Sequence, residues 1–192
     1  MSARSDIMPD RQEIISSLYG AFRLALFDEN GIGYFNISVE GFWRSFFAAV
    51  ILAPFYMLSI GQDFMTPQGG FSFWAALVHF LTYGASWILF PLVAFFATDL
   101  LNLGHRFTAL VVAVNWSSVL IFGLLAIGVG VVTLVQQALA DLALVILTAG
   151  LIVYHWFVIK TALETTAAVA IAFVLFNFLL GAMLHQIADR LI

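Results

Sequence analysis

One constellation of polar side chains stands out against the long apolar stretches of this chain: His79, Tyr83 and Ser86, then Asn115, then Asn177. The first three are spaced by four and three residues, which puts them on one face of a helix. At about 1.5 Å of rise per residue, His79 and Tyr83 stand roughly 12 and 18 Å below the outer edge of their stretch, while Asn115 and Asn177 stand roughly 12 and 18 Å above the inner edges of theirs. An apolar core roughly 30 Å thick therefore gathers them into one central layer, in which they are expected to meet. Two chemistries are open to such a layer. Interhelical hydrogen bonds brace a bundle at about 0.6–2 kcal/mol each; alternatively, a small polar cavity takes a lipid headgroup, water or a small solute, with His79 as its only titratable member.

Other candidates are poorer. No stretch carries a carboxylate, lysine or arginine near its centre, which proton relays and ion-coupled carriers need. Asn115, Ser117 and Ser118 follow no nucleophile motif, and no metal-ligand or phosphate-cradle spacing occurs, so no enzyme activity, metal or cofactor is expected. His155, five residues before Lys160, reads as a headgroup contact. His185 and Asp189 share a face near the other end, but two ligands without a third make no metal site. The absence of cysteine removes disulfides, thiolate ligands and a cysteine nucleophile.

The elements that must hold these groups follow from charge and hydropathy. Among 192 residues, 63% are apolar and 9% charged, too little polar surface to cover a water-soluble core. Arg4, Arg11, Arg23 and Arg44 precede the first apolar run, Arg106 and Lys160 fall in later gaps, and Arg190 lies beyond the last. Five runs threaded from an inside N-terminus place six of the seven basic residues on one side, the positive-inside pattern of an integral membrane protein with its C-terminus outside. The predicted spans are 41–60, 71–98, 107–134, 142–159 and 165–186, with Pro54 expected to kink the first, Gly61 to Gly70 as an outer loop holding Asp63 and Pro67, and Gln136, Gln137 and Asp141 marking an outer turn. The second and third are longer than a bilayer requires and must tilt, bend or project.

Ahead of the spans, Asp10 to Phe27 reads as an interfacial amphipathic helix. Asp10 caps it, Glu13 reaches back as in a capping box, and Ile14, Ile15, Leu18, Phe22, Ala25 and Leu26 form its lipid face. Asp28 to Gly31 is a turn, and Ser38 caps the next helix. The chain thus divides into a cytoplasmic segment, 1–40, and a five-span domain, 41–192, an all-α polytopic bundle. Ala126 with Gly130, and Ala168 with Ala172, are small-residue pairs expected to serve internal packing first and a dimer face second. The expected role is non-catalytic: binding or organising membrane lipids, other membrane proteins or a second copy, alone or as a subunit of a larger complex, with a small-solute transporter or channel as the alternative. A net charge of −4, scattered along the chain, gives no reason to expect nucleic acid.

An amphipathic N-terminal helix, an apolar span with an internal proline (Phe46 to Leu58), four further spans, and a last hairpin in which Trp156, Lys160, Ala162 and Leu163 lead into the alanine-rich Ala167 to Ala172 together resemble the bacterial branch of the Yip family of five-pass membrane proteins. Eukaryotic members of that family interact with Rab GTPases and carry an Asp-Leu-Tyr-Gly-Pro signature. Here Ser17, Leu18, Tyr19, Gly20 and Ala21 lack its acid and its proline, so no functional residue is carried over. The resemblance implies residence in a bacterial inner membrane without an assigned activity.

Overall fold

The computed structural model describes residues 8–64, 71–132, 134 and 137–192. Arg4, Pro67 and Gln136, and most of the loop that holds Pro67, lie outside the described residues. The rest is an all-α bundle, with no β-strand among the described residues: α1 (Arg11–Ala25), a 3₁₀ turn (Glu29–Tyr34), α2 (Val39–Ser45), α3 (Phe47–Ser59), α4 (Phe73–Leu100), α5 (Phe107–Val132), α6 (Gln137–Leu163) and α7 (Ala167–Leu191). Five segments are long and apolar enough to cross a membrane: α2 with α3, α4, α5 with the turn before it, α6 and α7.

Side chains cap three helix starts, the first two of them as expected. Asp10 Oδ1 accepts from Glu13 N at 2.7 Å, Ser38 Oγ from Gly41 N at 3.1 Å and Thr166 Oγ1 from Val169 N at 3.4 Å, each satisfying a donor that the first turn leaves over. The capping box at α1 is not closed. Glu13 instead accepts from Asn36 Nδ2 and Arg44 Nη1, both at 3.0 Å, and so ties α1 to α2. Three helix ends, those of α1, α4 and α6, close with the next backbone N–H but one donating to the carbonyl five residues back: Asp28 to Arg23, Leu103 to Thr98 and Thr165 to Lys160. The left-handed residue this needs is Phe27, Asn102 and Glu164 in turn, none of them glycine.

Two boundaries differ from expectation. The first span is interrupted at Phe46, between α2 and α3, while Pro54 sits within continuous α3. Ser45 Oγ donates to Phe42 O at 2.7 Å at that break, a local bond that competes with the helix ladder. Helix α6 begins well before Leu142 and takes in Gln137 and Asp141, which bond each other at 2.8 Å across one helical turn instead of forming a loop.

The core is concentrated at one end. Helix α5 is the hub, packing against α1, α2, α3, α4 and α6, while α7 joins α6 to α4. All residues from Ala109 to Ser117 on α5 are buried, a mostly apolar run that the neighbouring helices enclose. Tyr154, Phe157, Val158, Ile159, Ala162 and Leu163 of α6 close on it, and Ala21 and Leu24 of α1 are fully buried between them. A 26-residue helix spans about 39 Å against a hydrocarbon core of about 30 Å, so the surplus length of α5 is accommodated where α1 and α2 cover it. The opposite halves of α5 and α6 turn Phe122, Ile127, Val131, Leu142, Val145 and Ile146 outward.

The N-terminal helix therefore does not stand apart, and a division at 40/41 falls inside α2. Its inner face is Ser17, Gly20, Ala21 and Leu24, flanked by partly buried Ile14, Leu18 and Ala25. Of the lipid face expected from sequence, only Ile15, Phe22 and Leu26 are exposed, and Tyr19 joins them on one stripe. Small residues on the inner face permit close approach: a Cβ on Gly31 would lie 2.7 Å from Gly20 O, and one on Gly20 would lie 2.8 Å from Gly31 O. The small pairs expected to pack internally do not, since Ala126, Ala168 and Ala172 are exposed.

Candidate functional site

The polar residues do not form one layer. Their bonds resolve into three contacts, each between a different pair of helices. Between α3 and α4, Tyr83 donates through its hydroxyl to Ala49 O at 2.6 Å and stacks on Tyr56 at a centroid distance of 4.7 Å. His79, buried one turn earlier in α4, has Nδ1 3.5 Å from the Tyr56 hydroxyl and its ring edge-on to Phe64. Between α2 and α5, buried Asn115 donates from Nδ2 to Ser45 Oγ at 2.9 Å. Between α6 and α7, Asn177 Nδ2 lies 3.1 Å from His155 Nε2.

His155 is thus an interhelical partner and not a headgroup contact. It is buried, eight residues or about 12 Å before the end of α6, close in depth to Asn177 about 15 Å into α7. If Asn177 donates, Nε2 is the bare nitrogen and the ring proton sits on Nδ1, which has no hydrogen-bond partner among the described residues. Ser86 joins none of the three pairs directly. Its hydroxyl donates to Tyr83 O at 2.7 Å, and it shares with Asn177 a cleft of about 50 Å³ between α4 and α7, walled by Leu89, Phe90, Leu180, Gly181 and Leu184.

Five of the hydroxyls along the spans behave alike. Ser45, Ser59, Ser86, Thr98 and Ser118 each donate to a carbonyl one turn back in the same helix, which hides a polar group in apolar surroundings. None of these bonds sets a hydroxyl beside a base. His185 and Asp189 form an exposed pair at 3.7 Å, and no group of three or more metal-ligating side chains gathers among the described residues.

Among the described residues, the ion-paired side chains lie at the two ends. Arg44 pairs with Glu13 at 3.0 Å, Lys160 with Glu29 at 3.5 Å, Arg23 with Asp28 and Arg106 with Glu164. All four pairs stand at the end where the core is packed. Arg23 Nε donates to Asp28 Oδ2 at 2.6 Å, and this bond, with one from Asn30 N, holds the Asp28 carboxyl below its usual range; the hydrogen bonds that Arg23 donates to Tyr19 and Asp28 push its guanidinium up. Beside Lys160 opens a cleft of about 370 Å³ lined by Glu29, Ile32, Lys160, Thr161, Glu164 and Thr165. Sequence reasoning missed this cleft, and it missed Ser45 and Tyr56 as partners. Lys160 and Glu164, one turn apart at a helix end, were the available signal for the cleft; Ser45 and Tyr56 carried none, because nothing local shows which helix will face them. Compared with family models, with curated proteins and with solved structures, the chain matches none, so its function has to be read from these residues alone.

Proposed function

We propose that this is a non-catalytic integral protein of a bacterial inner membrane that binds or organises lipids or partner proteins, with the packed, basic end in the cytoplasm and the C-terminus outside. The observation that carries the reading is the double face of α1. One side is locked into the core by Ser17, Gly20, Ala21 and Leu24, while Ile15, Tyr19, Phe22 and Leu26 remain exposed on the other. A soluble helix covers one apolar face only; a second, held rigidly at the mouth of a membrane bundle, is suited to acyl chains or to a partner's helix. The Yip-like order of an amphipathic helix and five spans supports the same reading.

The transporter alternative draws support from Ser86 and Asn177 meeting in one cleft, but about 50 Å³ holds only a few water molecules. The natural absence of cysteine makes a direct test simple. Spin labels on single cysteines at positions 15, 19, 22 and 26, in full-length protein reconstituted into liposomes, should be relaxed by oxygen in the lipid phase, or shielded from every relaxant where a partner covers them. Relaxation by a water-soluble nickel chelate at all four positions would overturn the proposal.

A further inference from the structure

We propose that the cleft beside Lys160 is a headgroup site for a zwitterionic phospholipid bearing a primary amine, a phosphoethanolamine group. The inference rests on the lipid-binding reading above and gives it a place and a chemistry. The cleft lies between the 3₁₀ turn and the α6–α7 connection, where the last turn of α6 carries Lys160 and a lysine stem can lie along apolar surface with its ammonium at headgroup level.

Its lining sorts into two halves. Lys160, the hydroxyls of Thr161 and Thr165, and the start of α7 just beyond them favour an anionic phosphate. Glu29 and Glu164 offer carboxylate oxygens to an ammonium. The Thr161 hydroxyl oxygen is buried beneath the cleft wall with no hydrogen-bond partner among the described residues, so a rotation of this side chain would give a ligand in the cleft a donor that has no other acceptor. The Lys160–Glu29 pair is long, at 3.5 Å, and half-exposed, so a ligand carrying both charges can part it and re-pair each member. Glu164 adopts a left-handed backbone, φ 48°, where glycine would be unstrained, and its carboxylate stands between Arg106 and the cleft.

The same lining excludes the competing headgroups. With Arg106 included, two acids face two bases, a neutral frame that a zwitterion matches and that a net anionic lipid does not. A choline headgroup has no N–H to give Glu29 and Glu164, and no aromatic ring among the described residues lines the cleft to receive its quaternary ammonium. Three and seven residues beyond Thr165, the small and exposed Ala168 and Ala172 leave a shallow track along α7 for an acyl chain.

Native mass spectrometry of the full-length protein in detergent, titrated separately with dioleoyl phosphatidylethanolamine, phosphatidylcholine, phosphatidylglycerol and water-soluble glycerophosphoethanolamine, tests the site. The ethanolamine lipid should bind about tenfold more tightly than the other two lipids, a difference of about 1.4 kcal/mol. Glu29→Gln with Glu164→Gln should erase that preference, Thr161→Val should weaken ethanolamine binding without moving the melting temperature, and Arg190→Gln at the far end should change nothing. Tighter binding of the lipid than of glycerophosphoethanolamine identifies the membrane as the source; equal affinity identifies a soluble source for the same chemistry. Equal binding of all three lipids would overturn the site while leaving lipid binding intact, and no binding of any lipid would remove both.

Discussion

The Ser45–Asn115 contact makes an unusual claim about which deletion is worse. Both side chains are buried, Ser45 fully, and the serine hydroxyl has two roles: it accepts from Asn115 Nδ2 at 2.9 Å and donates to Phe42 O at 2.7 Å. Asn115→Leu removes the donor but leaves Ser45 bonded to Phe42, so it should cost about 0.6–1 kcal/mol, the ordinary worth of an interhelical bond in a membrane bundle. Ser45→Ala removes only one oxygen, yet strands a buried amide N–H, which costs about 1–3 kcal/mol. The smaller excision should therefore be the more damaging one. The double variant strands nothing and should cost about as much as Asn115→Leu alone, giving a coupling energy of about 1 kcal/mol or more. Unfolding of the full-length protein in mild detergent, followed by circular dichroism against SDS fraction, measures all three. Additivity within about 0.5 kcal/mol would refute the argument. A cysteine at position 115 that water-soluble maleimide labels in the folded protein would replace bracing by an aqueous cavity.

Reporter fusions after residues 35, 103 and 162 should read cytoplasmic and those after 66, 137 and 192 outside; a cytoplasmic C-terminus would overturn the orientation. Gly31→Ala should destabilise by about 1–3 kcal/mol in the same unfolding assay, because the new methyl meets the backbone of α1 at Gly20 O and Leu24 N, at 2.7 and 3.0 Å, whereas Gly33→Ala, with nothing within 4 Å, should be nearly silent. Asp28 is held below its ordinary value of 3.8 in the folded protein, so its contribution is complete above that pH and is lost as pH falls through the lowered value. Melting curves of the wild type and Asp28→Asn should accordingly converge on acidification below pH 3.8 and separate above it, by a small margin since the pair is partly solvated.

Long apolar runs and their caps are local properties, which is why the five spans, Asp10 and Ser38 could be read directly, while the break at Phe46 could not: Pro54 is a visible helix breaker, but the competing bond from Ser45 to Phe42 O shows only in the fold. The polar layer failed for a related reason. Rise per residue gives depth along a helix, and Asn177 and His155 do lie at similar depths, but depth says nothing about which helices are neighbours. Adjacency was decided by α5 taking the hub, which drew Asn115 to α2 and left Asn177 to α6. The face of α1 was misassigned because hydrophobicity alone chose it; the small residues Ser17, Gly20 and Ala21, at spacings of three and four, were the better guide, since only a face without bulk can lie against another backbone. Once that face is buried, the bulkier stripe must point outward, and the exposed surface of α1 is a consequence of its packing. Charge shows the same logic. Arg23, Arg44, Arg106 and Lys160 mark one end of the bundle in the sequence, and in the fold each meets an acid, so that end combines its basic residues with a locally neutral, two-signed surface. A surface of that kind discriminates by the arrangement of its charges and not by their sum, so the Lys160 cleft is matched to a headgroup carrying both signs.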